Sequence, residues 1–444
     1  MTRVLLALLV AAVMSTGIVY AQNDDNETPA AAAPTPEELK EAVDGLGDRL
    51  TTVETDVDKL KQIKISGYVQ AEWQFFDQTT NPNGRAVYSD ARRNFFTIRR
   101  GRLKVQHKLG DMSYVLQGDF TEAGFKMKDA YITYNLAGEE LGLTAGVFNR
   151  PNYEVELSSS ARESAERAQV TRAFYPDERD LGFMFTYQPS ISQDFTPKLQ
   201  VGLFNGPGVV VPEADAYKDL ITRLTFPVPF GADAPIQADL GASLYYGGIP
   251  QTGDSIVKWD GEVKKTVAND ATGNLRGMGN KMNFNVEGQI YLDLLPFGGT
   301  ILKGEFMGGK RPTAATAATA ATVGTKKDAG GKDSIVVIPG AAAGNLQIRN
   351  QSGFYAYFVQ NLGNSLQFAL KYDTYDRNTD LSGANVKSAG DASTSILGLG
   401  FNYFFGNIRL TLWYEIPKIA KDEVVAGMDD LKDNKTTIRL QYKY

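Results

Sequence analysis

Residues 280–293 read NKMNFNVEGQIYLD, and this stretch decides the fold. Met282, Phe284, Val286, Gly288, Ile290 and Leu292 take every second position, with Asn283, Asn285, Glu287, Gln289, Tyr291 and Asp293 between them. A helix turns about 100° per residue and cannot gather such a set on one side, whereas an extended strand sends alternate side chains to opposite faces. Residues 64–77 repeat the pattern, with Ile65, Gly67, Val69, Ala71, Trp73 and Phe75 set against Ser66, Tyr68, Gln70, Glu72 and Gln74. Working outward from these two, comparable segments recur at 94–108, 112–122, 126–136, 141–149, 180–188, 197–205, 219–230, 236–247, 299–309, 351–360, 365–376, 393–405, 407–417 and 435–444, which makes sixteen.

The connections alternate in length. Tight turns at 109–111, 137–140, 294–298, 361–364 and Gly406 lie at one end, and long segments at 78–93, 150–179, 206–218, 248–279, 310–350, 377–392 and 418–434 lie at the other; only 123–125 breaks the rule. This is the form of an all-β, sixteen-stranded antiparallel transmembrane β-barrel, with short turns on the periplasmic side and long loops outside. A soluble β-sandwich or propeller is the competitor. It needs a dry core, and the charged residues that share the inner parity favour a wet lumen instead. Aromatic residues cluster near strand ends, as at Phe75-Phe76, Phe95-Phe96, Tyr245-Tyr246 and Trp413-Tyr414, which fits girdles at the headgroup level.

Ahead of the strands the pattern differs. Residues 1–21 read as an export signal, with Arg3, the apolar run Val4 to Met14 and small residues before Gln22; an uncleaved membrane anchor is the alternative. Residues 22–36 are a polar Ala/Pro linker. In 37–63, Leu39, Val43, Leu46, Leu50, Val53, Val57 and Leu60 are spaced four and three apart, a heptad that predicts a periplasmic coiled coil, and Thr35, Pro36 and Glu38 give it a helix start. Gly45 and Gly47 weaken that helix, and an amphipathic helix packed on its own protein is the other reading. Residues 64–444 are then the barrel.

Composition removes several function classes. With no Cys in 444 residues there is no disulfide, iron–sulfur cluster or thiol nucleophile, and the single His107 leaves His-based metal sites without parts. The formal net charge is −6; residues 1–63 hold 11 acidic and 5 basic side chains, so 64–444 hold 41 of each and show no basic excess for nucleic acid. Asp376 to Asp380 begins like a calcium loop but has Leu381 where glycine belongs and Lys387 where the closing glutamate belongs. Residues 313–322, TAATAATAAT, are low-complexity and read as outer loop. His107 falls on the outward parity near a rim, away from any nucleophile.

RRGRLKVQHKLGDMSYVLQGDF (99–120), DAYITYN (129–135), GVFNRPNYEVELSSS (146–160), Glu166-Arg167 and FYPDERDLG (174–182) together resemble the phosphate-selective porin O and P family over residues 64–205, and by strand pattern beyond. The resemblance implies a homotrimeric outer-membrane porin whose third outer loop, 150–179, folds inward and narrows the pore. One departure is Asn149, where the family usually has a basic residue; Arg150 follows it.

Alternation places Ile98, Arg100, Arg102, Lys104 and Gln106 on the lumen side of strand 94–108, and residues 91–110 contain no acid. Guanidinium forks in a narrow channel suit phosphate oxygens. The pore-lining and anion-binding candidates are therefore Arg100, Arg102, Lys104 and Arg223 from strands, facing Arg150, Arg162, Arg167 and Arg172 from the loop. Acids oppose them: Glu72, Asp119, Glu287 and Glu305 on strands, and Glu154, Glu156, Glu163, Glu166, Asp177 and Glu178 in the loop. A basic wall facing an acidic loop predicts a transverse field. The leading reading is passive diffusion of small anions or other hydrophilic solutes through an outer-membrane channel in contact with lipid, with no cofactor, metal or catalytic residue. A structural tether acting through the coiled coil and a barrel hydrolase are the alternatives.

Overall fold

The computed structural model describes residues 35–77, 94–138, 140–152, 155–209, 213, 215–231, 234–250, 255–258, 263–265, 278–314, 321–327, 331–341, 345–383, 386, 391–420 and 434–444. The predicted export signal, the linker up to residue 34, loop 78–93, residues 315–320 of the TAATAATAAT run and 421–433 lie outside the described residues. The chain divides into two units, 1–61 and 62–444.

In the first unit, helix α1 spans Pro36–Lys61. Thr35 starts it with a capping box: its backbone N–H donates to Glu38 Oε2 at 2.7 Å, and the Glu38 N–H donates to Thr35 Oγ1 at 3.3 Å. Leu39, Val43, Leu46, Leu50, Val53 and Val57 form an exposed apolar stripe.

The second unit is a closed barrel. Sixteen strands make its wall: β1 Ile63–Phe76, β2 Asn94–Leu109, β3 Met112–Thr121, β4 Gly124–Asn135, β5 Leu141–Asn149, β6 Arg179–Tyr187, β7 Lys198–Phe204, β8 Asp219–Val228, β9 Ile236–Pro250, β12 Met278–Leu292, β13 Thr300–Ala314, β16 Leu346–Leu362, β17 Leu366–Asp376, β18 Thr394–Phe405, β19 Ile408–Ile419 and β20 Lys435–Lys443. Each pairs antiparallel with the next, and β20 returns to pair with β1 in the register Glu72↔Arg439. Four short strands lie in the long connections: β10 Ser255–Lys258, β11 Val263–Lys265, β14 Thr322–Lys327 and β15 Asp333–Ile338. Alternation did not predict them. Tight turns fall where expected, with Gly110 (φ 56°) and Gly406 (φ 58°) taking the left-handed conformation that two-residue hairpins need.

Burial is inverted relative to a soluble protein. On β12 the outward Met282, Phe284 and Val286 are 56%, 44% and 56% exposed, while the inward Asn283, Asn285 and Glu287 are 1%, 2% and 7% exposed. A β-sandwich would bury the first set, so that competitor is excluded.

Two β-bulges alter the faces read from alternation. Gln70 pairs with Arg100 and Ala71 with Ile98, which leaves Arg99 as an extra residue. Ile98 was expected inside; the bulge turns it outward and brings Arg99 and Arg100 both to the inner side, where Arg99 Nε meets Glu166 Oε1 at 2.6 Å. A second bulge, at Gln117/Gly118, leaves Lys128 extra, 3.9 Å from Asp119.

The inner wall is closely fitted at β18 and β19. Gly400 pairs with the fully buried Trp413, and a Cβ at Gly400 would run into the Leu412 carbonyl oxygen and lie 2.7 Å from the indole. Gly400→Ala is expected to cost about 1–3 kcal/mol through overpacking. Urea unfolding in detergent, followed by the shift between folded and unfolded gel bands, should show a lower midpoint; an unchanged midpoint would refute the fit.

Candidate functional site

Residues 150–152 and 155–178, between β5 and β6, run inside the barrel. In a ring of sixteen, β9 stands opposite β1, and the segment is held at both. On one side the Asn152 carbonyl accepts from Ser243 Oγ on β9 at 2.8 Å and from Asn285 on β12. On the other, the Ser159 carbonyl accepts from Gln70 Nε2 at 3.1 Å, and Ser159 Oγ accepts from Arg102 Nη1 at 3.1 Å. Between these ends, Glu163 pairs with Lys303 at 2.7 Å, Ser164 bonds Tyr357 at 2.7 Å, and the Glu166 carbonyl accepts from Lys371 Nζ at 3.0 Å. Arg439 donates to the Ala165 carbonyl and Asn402 Nδ2 to the Glu163 carbonyl at 3.0 Å.

Part of the interior is dry. Helix α2, Gln169–Phe174, buries Val170 and Phe174 against an inner cluster that includes Phe148, Phe204, Ile221, Tyr245, Met307, Tyr355 and Trp413. The expectation of a lumen lined mainly by charge is corrected here. These residues occupy inner-parity positions, so strand phase alone marks them. Among the described residues, the inner side borders a chamber of about 580 Å³ beside β1–β6 and another of about 280 Å³ beside β8, β9 and β12.

The eight candidate cations divide by partner. Arg102 grips Asp119 with both forks, Nε to Oδ1 at 2.8 Å and Nη2 to Oδ2 at 2.6 Å. Arg167 pairs with Glu178 at 2.9 Å, and Arg223 pairs with Glu287 beside the smaller chamber. Arg150 does not face the β2 cations as expected: it lies 3.8 Å from Asp180 and donates to the carbonyls of Asp177 and Gly206. Arg172 stands in the last turn of α2. Arg100 donates only to the neutral Gln70 Oε1, at 2.9 Å, and Lys104 lines the larger chamber with no ion pair among the described residues. Arg162 is 2% exposed, and none of its three guanidinium nitrogens has a hydrogen-bond partner. Sequence reading missed Arg99, because a bulge leaves no mark on alternation; the Arg99-Arg100 doublet was the available signal.

The acids of the loop are likewise engaged. Glu163, Glu166, Glu178 and Glu156 each lie against a cation, the last 3.6 Å from Lys371. Glu154 lies outside the described residues. Opposite charges in contact cancel at a distance, so the predicted transverse field reduces to a set of local dipoles. Burial alone would raise the Glu166 and Glu178 carboxyls, but Arg99 and Arg167 respectively hold them well below the usual range. In 376–380, where the sequence begins like a calcium loop, Asn350 Nδ2 donates to both Asp380 oxygens, and Asn378 Nδ2 to Asp391 at 3.1 Å. Among the described residues no group of three acidic or His side chains is placed to hold a metal.

A family model described as phosphate-selective porin O and P matches residues 63–286. No curated protein sequence matches the chain. Among solved structures, OprB of Pseudomonas putida is similar at 10% identity, with 88% of this chain and 96% of that one covered and a TM-score of 0.52. An anion-selective porin from Comamonas acidovorans is similar at 11% identity, over 86% and 99%, with a TM-score of 0.50. At these identities the likeness is one of fold.

The depressed carboxyls fix a pH dependence. A carboxylate with a lowered folded pKa stabilises the fold above its unfolded value of about 4.3 and loses that contribution only as pH falls through the folded value. Hydrogen-exchange protection of residues 155–178, taken relative to the intrinsic rate at each pH, should hold from pH 7 to about 4.5 and fall only in stronger acid. Glu166→Gln should lower it already at pH 7, costing on the order of 2 kcal/mol because Arg99 is partly exposed. Equal protection in variant and parent at pH 7 would show that this pair does not hold the loop.

Proposed function

The chain belongs to the phosphate-selective porin O and P family and is a β-barrel channel of the bacterial outer membrane, and on that premise we propose a homotrimer that passes small hydrophilic solutes and ions with a mild preference for anions. The observation that carries the reading is the inverted burial of the wall. An apolar belt meets lipid, polar residues face the lumen, and segment 150–178 reduces the lumen to chambers. Family and fold mark a channel rather than an enzyme.

Anion preference rests on the cations that no acid contacts. Among the described residues Arg100 and Lys104 fill this role on β2, and Arg162 reinforces it from within the loop. Arg102, Arg150, Arg167 and Arg223 act mainly as clamps, because each sits against a carboxylate. Strict phosphate selectivity is not proposed, since so few cations remain uncompensated.

The orientation puts the short turns in the periplasm and the long loops outside. Residues 1–21 are removed on export, 22–36 link, and 37–63 form a parallel three-stranded coiled coil in the periplasm. The exposed stripe of α1 supports this last part, because an isolated helix of its length is marginal in water.

Replacing Arg100 and Lys104 together by Ala should move salt-gradient reversal potentials in planar bilayers toward cation selectivity. Sparing Arg102 matters: its loss would expose Asp119 and shift selectivity by a second route. An unchanged reversal potential in the folded variant would remove these two residues from the selective path. For the helix, Leu50→Cys supplies the only thiol in the chain, and oxidation should link neighbouring subunits. Monomers alone would count against the bundle.

A further inference from the structure

The larger chamber differs in character from a site for a small hydrated ion. On one side stand two ammonium groups, Lys104 and Lys443, neither in an ion pair among the described residues. The other charged groups that line it are committed: Arg102 to Asp119, and Arg179 to Asp129 at 2.7 Å. On the other side are the faces of Tyr131, Phe148 and Leu157, with the Tyr131 and Phe148 rings edge to face at 5.9 Å. The exposed Ser158 adds a hydroxyl at the mouth. The register fixes the separation. Lys104 pairs with Gln117, and Val115 pairs with Tyr131, so the ring sits two strands from the ammonium and one inward-facing step nearer the short-turn rim. That is about 10 Å across and about 7 Å along the wall between backbones.

A hydrated phosphate or chloride gains nothing from an aromatic wall, and a neutral apolar molecule gains nothing from unpaired ammoniums. A solute with both a charged head and an apolar body gains from each. We propose that this chamber is a binding site for small carboxylates with an aromatic or branched apolar body, the head held by Lys104 and Lys443 and the body laid on Tyr131 and Leu157. The proposal rests on the channel reading above and names the solute class which that reading leaves open. The channel then concentrates such acids in this chamber instead of passing all anions alike.

The test uses the purified full-length protein in planar bilayers carrying chloride current, with benzoate, acetate and benzamide added in turn. Benzoate should reach half-block at about one tenth the concentration of acetate, as burial of a ring-sized apolar face implies, and of benzamide, which has the ring but no charge for the two ammoniums. Tyr131→Ala should bring benzoate up to the acetate value and leave acetate unmoved. Lys104→Gln with Lys443→Gln should weaken benzoate and acetate but leave benzamide unchanged. Leu157→Ser probes the same apolar wall from the loop should Tyr131→Ala fail to fold. A conducting channel in which benzoate and acetate block alike, or in which neither wall variant moves benzoate, overturns this inference alone. A protein that conducts nothing overturns the channel reading and this inference with it.

Discussion

Everything in the barrel depends on the seam where β20 returns to β1. An unclosed sheet would leave two rows of backbone N–H and C=O groups without partners, a cost that lipid cannot relieve. The seam is closed at its end by reciprocal bonds: the Gly67 N–H donates to the Tyr444 carbonyl at 3.2 Å, and the Tyr444 N–H donates to the Gly67 carbonyl at 3.1 Å. Higher up, Gln70 bonds Gln441 at 2.6 Å, and Arg439 pairs with Glu72. Those same residues hold the inner segment, because Gln441 also donates to the Ser160 carbonyl and Arg439 to that of Ala165. Closure of the wall and narrowing of the lumen therefore share one set of side chains.

Charge in the lumen follows from this arrangement. Most inner cations and acids meet in pairs, and a buried pair is weak evidence for stability but strong evidence for position. Removing either member leaves the other uncompensated, which is why the segment keeps one path across the lumen. On the proposed reading, selectivity is left to the cations that no acid contacts among the described residues, and the expected preference is milder than a count of arginines implies.

The strands were legible because a period of two survives loop variation, and most of their predicted ends fell within a few residues of the observed ones, the start of β16 and the end of β13 missing by five. Bulges were not legible: one extra residue at Arg99 or Lys128 reverses a face while leaving composition untouched. Nor were the partners of the loop cations, since Arg150 with Asp180 or Glu163 with Lys303 is a question of three-dimensional approach and not of spacing. The inner apolar cluster was half legible. Phe148, Phe204 and Met307 sat on the inner parity, but nothing in sequence announced that six residues of helix would come to meet them.

That seam also sets an order of events. Arg439 and Gln441 are among the last residues of the chain, yet they anchor a segment whose residues come nearly three hundred positions earlier, Arg439 to Ala165 across 274 residues and Gln441 to Ser160 across 281. Until the final strand arrives, the inner segment lacks these two partners on that side of the lumen. In a nascent barrel the segment is thus held only by its anchors on the other strands, and its last two hold points are acquired at the moment of closure. Loss of this strand would do more than open an edge: it would loosen the inner segment as well.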